Sequence, residues 1–425
     1  MTGVAHGQVP GRVRAAEESL ADRRGGTGSG PPRVALIGAS GHGRWHRQVI
    51  AELGGAGRLE LVALVDVRPV EPLPDAETAE TSAVFTDHRE MLRTVRPDVV
   101  VVCTPPHTHL PIALDVLASG ADLLLEKPPV LGTHEHRALS MARAASGRPI
   151  QVGFQALGSA ALAELLAAVA DGRLGTVTGI ATVASWQRTD AYYARSPWAG
   201  RRSLNGHPVL DGALVNPLAH AVMQCLAVAA AVPSRLGVRG GDPIAVELER
   251  YRTRPIEVDD TASLRVTLRS GLPVVAAVTL AGEEFIPGEV IVRGTAGRAV
   301  LEYPTDRLLL PGDPEPREVP GRVGLLANLL DHREDPEGVP LIVPLDRTEG
   351  FTALIEAIHA APEPTLLGGG NVLGTGEPPD RVWSIRGVNG VLRQAAESGA
   401  LLHELGVPWA VKPYRVALGE ETGNG

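Results

Sequence analysis

The sequence predicts an α/β protein: a doubly wound parallel sheet comes first, then an α+β domain with a mostly antiparallel open sheet. Three observations carry that reading. From Arg33 to Phe154, short apolar runs rich in Val, Ile and Leu alternate with helical patterns; strands that are apolar throughout are buried on both faces, as in parallel sheets. Beyond residue 170 the strand-like runs follow one another across Gly-containing turns with few helices between them, an antiparallel pattern. A chain of 425 residues, 44% hydrophobic and 21% charged, is long enough for two domains with a sizeable core. The boundaries read from the sequence are a disordered tail over 1–32, a first domain with the parallel sheet over 33–150, a second domain over 151–410 and a short tail over 411–425. The last helices are read as returning to pack on the first domain.

The elements follow in order. Val34 to Ile37 is a strand and Gly43 to Leu53 the helix after it. Leu61 to Val65 is the next strand, ending at Asp66; the Pro- and Glu-rich stretch from Val70 to Thr81 is loop. A helix from Asp87 to Val95 precedes the buried strand Asp98 to Cys103. Leu110 to Ser119 is helical, with Gly120 suited to the left-handed turn after it. Ala121 to Leu125 is a strand, Thr133 to Ala145 a helix, Pro149 to Phe154 a strand and Leu162 to Ala170 a helix. The second sheet is expected from Val177 to Trp186, Ala245 to Leu248, Leu264 to Leu268, Val274 to Leu280 and Val290 to Arg293. Phe351 to Ala360 and Val382 to His403 read as amphipathic helices, with Gly/Pro-rich loop over Pro362 to Pro379.

Composition narrows the partners. A net charge of −9 offers no electrostatic ground for a nucleic-acid or anionic-membrane partner. Two cysteines, Cys103 and Cys225, lie in apolar runs and read as buried thiols in a reducing compartment, without a disulfide framework. The Arg- and Gly-rich start of the chain has no hydrophobic stretch of the kind a secretory signal needs. Pro217 to Val232 is shorter than the roughly 20 residues of a membrane span and contains His220 and Gln224. The expectation is a cytoplasmic protein that does not enter a membrane.

The turn Gly38-Ala39-Ser40-Gly41-His42-Gly43 lies between the first strand and the first helix. A diphosphate must approach backbone closely at a helix N-terminus, and small residues with free N–H groups permit it. Gly38, Gly41 and Gly43 meet that need, while Ser40 stands where the second glycine of G-x-G-x-x-G belongs. Ser40 and His42 are counted with the cradle. Asp66 ends the second strand 23 residues beyond Gly43, where a carboxylate accepts hydrogen bonds from a ribose diol and repels a 2′-phosphate. That favours NAD; Arg68, two residues on, would serve a phosphate and leaves NADP open. About ninety residues after the turn, Glu126-Lys127-Pro128-Pro129 follows a second apolar run. It puts a lysine at the carboxyl end of a parallel strand, where such sheets bind ligands.

The run Val99-Val100-Val101-Val102-Cys103-Thr104-Pro105-Pro106-His107-Thr108-His109, followed by Leu125-Glu126-Lys127-Pro128, resembles the Gfo/Idh/MocA oxidoreductase family. The likeness runs from Arg33 to about Trp409. It implies a Rossmann domain in which Thr104 and Pro105 line the nicotinamide side of the pocket, with His109 counted beside them. Glu126 would approach the ribose, and Lys127, before a peptide that is often cis, would contact substrate and cofactor. It also implies homo-oligomers, dimers or tetramers, formed through the open face of the second sheet.

Family members usually carry Asp-x-Gly-x-His in the second domain; here the matching stretch is Asn216-Pro217-Leu218-Ala219-His220. Asn before Pro is a strong helix start, with Asn216 as N-cap and Pro217 at the first helical position. Residues 216, 220 and 224 would then run along one side of an otherwise apolar helix. Such a stripe either forms an internal hydrogen-bond network or faces a substrate. In the second case His220 is a general acid/base, kept neutral by the helix dipole and by the missing carboxylate. Asn216 caps the helix or holds a hydroxyl. Tyr192, Tyr193, Trp198, His207 and Asp211 are weaker candidates. His107/His109 and His134/His136 have no completing ligand in sequence, so no metal is expected.

These readings converge on an NAD(P)-dependent dehydrogenase of a sugar, cyclitol or related polyol, with Lys127, His220 and Asn216 in the chemistry. Two rivals are an enzyme with tightly bound NAD used for transient oxidation, of the epimerising or glycoside-cleaving type, and a non-catalytic cofactor-binding regulatory protein.

Overall fold

The computed structural model describes residues 30–73, 82–233 and 240–419. Most of the expected 1–32 tail, the end of the 70–81 loop and the last six residues lie outside them. Two compact units emerge: one holds the chain to Pro129 with 137–153 and 326–344, the other 130–136, 154–325 and 345–425.

The first unit is built on six parallel strands: β1 (Arg33–Ile37), β2 (Glu60–Val65), β3 (Ala83–Phe85), β4 (Val99–Val102), β5 (Asp122–Leu125) and β6 (Ile150–Val152). Their order is β3-β2-β1-β4-β5-β6, that of a doubly wound dinucleotide-binding sheet. Every residue of β4 and β5 is buried, which is why these strands read as unbroken apolar runs. Helices α1 (Gly43–Gly55), α2 (His88–Val95), α3 (His109–Ala118) and α4 (Thr133–Ser146) connect them. Asp87 caps α2 by accepting from the Arg89 N–H. The segment 326–344 belongs here too. Gln151 and Asn328 share a buried 2.6 Å hydrogen bond, and Arg333 pairs with Asp98 and Asp122.

The second unit carries a ten-stranded sheet. Its strands are β7 (Val177–Gln187), β10 (Pro243–Arg252), β11 (Thr261–Leu268), β12 (Pro273–Thr279), β13 (Ala281–Gly294), β14 (Gly297–Glu302), β15 (Arg307–Leu309), β16 (Arg317–Glu318), β17 (Thr365–Leu366) and β20 (Tyr414–Ala417). The short hairpins β8 (Ser203–Leu204)–β9 (His207–Pro208) and β18 (Val372–Thr375)–β19 (Val382–Ile385) stand apart. Pairing in the large sheet is antiparallel except at β7–β12 and β10–β17.

Four expectations need correction. Val382 to His403 is not one helix: β19 comes first, and Gly387 and Gly399, both left-handed (φ 70° and 71°), bound a helix over Val388–Ser398. That conformation breaks a helix and suits glycine. The 362–379 loop contains β17 and β18. Tyr414–Ala417, read as tail, pairs antiparallel with β10.

The fourth concerns the open sheet face. On one side Ala181, Val183, Val275 and Ala277 are buried with Ile385, Val388, Leu392 and Leu402. On the other, Trp186 of β7 packs with Ala221, which belongs to a helix over Ala219–Ala231. The central strands are covered on both faces, as their near-continuous apolar character requires.

Candidate active site

The carboxyl ends of β2, β1, β4 and β5 lie side by side, and each carries residues singled out in the sequence. Gly38 to Gly43 follow β1, Asp66 follows β2, Thr104 and Pro105 follow β4, and Glu126 and Lys127 follow β5. In a parallel sheet this edge, at the reversal of strand order, is the ligand-binding edge.

The turn after β1 is shaped by close approaches. A Cβ on Gly38, at φ +89°, would stand 2.2 Å from the Cys103 carbonyl oxygen, and one on Gly43 only 1.9 Å from the Gly38 oxygen. Gly41, at φ +60°, faces open space, as a residue fronting a bound diphosphate must. Ser40 plays a different part, its N–H donating to Asp66 Oδ2 at 2.9 Å. Asp66 Oδ1 accepts from the Arg68 N–H at 3.0 Å. Burial pushes the Asp66 carboxyl up, but the hydrogen bonds from Arg68 and Ser40 outweigh it and the net shift is downward. The Arg68 side chain is 71% exposed with its Nε 3.8 Å from Asp66.

Glu126 is held on three sides. Its Oε2 accepts from the Lys127 N–H at 2.9 Å, and its Oε1 sits 2.9 Å from His46 Nε2 and 3.7 Å from His42 Nε2. Burial alone would raise its pKa; the two histidines reverse that and keep it well below the usual carboxylate range. Gly153 makes the room, since a Cβ there would lie 2.8 Å from the carboxyl carbon. The Lys127–Pro128 peptide is cis.

His109 is fully buried. Its Nδ1 lies 2.9 Å from the Pro128 carbonyl and its Nε2 2.8 Å from the Thr104 carbonyl, so one ring joins the loops after β4 and β5. Burial lowers its pKa despite both carbonyls. Thr108 Oγ1 donates to Thr104 Oγ1 at 2.7 Å. Cys103 is only partly buried, Cys225 wholly so, and desolvation pushes both thiols well above the ordinary range.

The second unit holds Asn216 and His220. Residues 212–218 form turns and the helix begins at Ala219, with Leu218 at the cap position and no side-chain cap. Asn216 is therefore not the N-cap and Pro217 not the first helical residue; of the expected stripe only His220 and Gln224 are helical. The backbone competes: the Leu218 and Ala219 N–H groups that a cap at Asn216 would hold bond instead to the Ala213 and Asn216 carbonyls. Asn216 Nδ2 donates to Asp211 Oδ1 at 2.7 Å. Asp211, buried, also receives Arg195 Nη2 on both oxygens at 2.9 Å and the Gly200 N–H at 2.8 Å. The Arg195 guanidinium lies over Tyr192 and Trp198, 3.8 and 4.7 Å from their centroids. Beneath the turn is Asp259, against which a Cβ on Gly212 would come within 2.7 Å. His220 is 9% exposed and meets Phe154 edge to face at 5.8 Å. Gln224 donates to the Ala156 carbonyl at 3.0 Å. His207 is an exposed residue of the β8–β9 hairpin.

Three contributors escaped the sequence reading of the site. His46 carried a signal, four residues after His42 on one helix face. The part Gly153 plays beside Glu126, and Arg195 as the partner of the candidate Asp211, carried none without coordinates.

Residues 32–154 match the family described as an oxidoreductase family with an NAD-binding Rossmann fold, Gfo/Idh/MocA. The chain is 32% identical over 154 residues to the D-glucoside 3-dehydrogenase of Escherichia coli (strain K12), covering 35% of this chain and 42% of that one. It is 30% identical over 143 residues to the inositol 2-dehydrogenase of Rubrobacter xylanophilus, covering 33% and 40%. It thus spans about two fifths of the length of these curated relatives. The WlbA dehydrogenase from Bordetella pertussis, solved with NADH and UDP-GlcNAcA, superposes with a TM-score of 0.62 at 22% identity, over 77% of this chain and 95% of that one. That likeness establishes the fold. Among the described residues no helix is long and apolar enough to cross a membrane. The Gfo/Idh/MocA match and the cradle geometry agree on an NAD-binding domain.

Proposed function

We propose that the chain is an NAD-dependent oxidoreductase acting on a secondary alcohol, or the matching carbonyl, of a sugar, cyclitol or related polyol. The observation that carries this is the convergence of the glycine turn, Asp66, the Thr104–Pro105 loop and Glu126–Lys127 on four adjacent parallel strand ends. The curated relatives, named as a glucoside and an inositol dehydrogenase, support the substrate class.

The residues fit the cofactor. Gly41 leaves space in front of the turn at the start of α1, a place that suits a diphosphate. Asp66 is the ribose acceptor and its negative charge disfavours a 2′-phosphate. When bound, the nicotinamide supplies hydride acceptance or donation. Lys127, after β5 in the first unit, would orient and polarise a substrate oxygen. His220, in the second unit, would serve as a general acid/base toward a hydroxyl. Asn216, held to Asp211 through its amide N–H₂, would position a substrate hydroxyl.

Fluorescence titration of the purified, cofactor-free protein with NADH and with NADPH tests this reading. Saturable binding with NADH preferred is expected. Folded protein that binds neither would overturn it.

A further inference from the structure

His42, His46 and Glu126 form a cluster whose ligand-capable atoms all lie within 4.8 Å of one another. Both imidazole Nε2 atoms converge on the same carboxylate oxygen, at 3.7 and 2.9 Å. The two histidines are four residues apart at the start of α1, the His-x3-His spacing that puts two imidazoles on one helix face for metal binding. The third group, Glu126, directly follows β5, so His46 stands on the helix while His42 and Glu126 lie just outside the helix and the strand.

We propose that these three side chains bind a divalent transition-metal ion of the Zn²⁺ class through two imidazole nitrogens and one carboxylate oxygen. This inference rests on the side-chain geometry and not on the cofactor reading. A tetrahedral ion with arms of about 2.0–2.2 Å sets neighbouring ligand atoms roughly 3.4 Å apart. The His42–Glu126 separation is already within a few tenths of that. The His46–Glu126 contact opens by about half an ångström once the shared proton is displaced by the ion, because metal-bound imidazole must give up that proton.

The surroundings favour a defined site. Glu126 and His46 have side chains 9% and 4% exposed, and the Lys127 N–H fixes the second carboxylate oxygen, leaving Oε1 for the ion. His42 is 54% exposed and stacked on Trp45 at 5.4 Å with ring planes 6° apart. An ion therefore enters from the His42 side, and that ring makes the final adjustment. Two histidines and one glutamate form a three-ligand set that leaves a fourth position open to water or an exogenous ligand.

The test is equilibrium titration of tag-free, full-length protein with Zn²⁺ against a chromophoric chelator, and with Co²⁺ followed by its visible absorption. One equivalent is expected, with the intense bands of four-coordinate Co²⁺. His42→Ala, an exposed position that leaves the fold intact by circular dichroism, is expected to weaken Zn²⁺ at least about tenfold and abolish the bands. Equal binding by wild type and His42→Ala, or no Co²⁺ bands in the folded wild type, overturns the inference. His42 and Glu126 are shared with the cofactor reading, so the metal titration uses cofactor-free protein and the NADH titration metal-free protein, and each proposal is overturned by its own readout.

Discussion

Replacing Gly43 by alanine puts a methyl group where the Gly38 carbonyl oxygen already lies, 1.9 Å from the new Cβ. Real Cβ atoms essentially never approach closer than 3.0 Å, so α1 must move away from the turn by about 1 Å. The obstacle is backbone on both sides, and no rotamer change relieves it. Overpacking of this kind costs roughly 1–3 kcal/mol. In a domain of this size each kcal/mol lowers Tm by about 2–4 °C. On the proposed cofactor reading the same displacement distorts the cradle, and the loss of one charge-assisted hydrogen bond, about 1.5–3 kcal/mol, would lower NADH affinity at least about tenfold. Gly41→Ala is the comparison for the stability readout alone, since Gly41 is itself counted with the cradle. Its Cβ meets nothing, and the cost is that of a left-handed alanine, roughly 1–2 kcal/mol. The assay is thermal unfolding of both variants beside wild type, with NADH titration at 25 °C. Gly43→Ala with wild-type Tm and wild-type affinity would refute the argument from close approach.

Four further outcomes are expected. Asp211→Ala removes the buried partner of Arg195 and Asn216 and should destabilise the second unit by about 3 kcal/mol, read by urea unfolding; a loss under 0.5 kcal/mol would show that Asp211 does not brace the turn. Glu126 has a folded-state pKa depressed below its usual 4.5, so its contribution is present above pH 4.5 and lost as pH falls through the folded value. The stability gap between wild type and Glu126→Gln, about 2 kcal/mol at pH 7, should therefore shrink on acidification; a pH-independent gap contradicts the assignment. Asp66→Ala should raise NADPH affinity relative to NADH, with an unchanged ratio counting against Asp66 as the ribose acceptor. Both thiols, raised by burial, should resist iodoacetamide at pH 8 in the native protein and react on unfolding; rapid native alkylation would contradict the burial argument.

The sequence by itself determined the first domain almost completely. Four consecutive valines, the glycine turn and Glu126-Lys127-Pro128 are local signals, because a doubly buried strand must be apolar throughout and a diphosphate cradle must be small. The parallel order and the cluster of candidates at one sheet edge follow from those signals and chain connectivity. The second sheet was legible as a run of strands, and its covered faces were implied by apolar strands such as Val274–Val278, a hint the expectation of an open face passed over. What the sequence did not determine was competition between partners distant along the chain. Asn-Pro is a sound helix start until the N–H groups it would cap bond to the Ala213 and Asn216 carbonyls. The burial of His109 shows only when two carbonyls from separate loops bracket its ring. Gly153 is one glycine among 49 until Glu126 needs its missing side chain. Only the tertiary structure decided these points, because local propensity differences of a kcal/mol or less yield to buried hydrogen bonds and close contacts worth more than that.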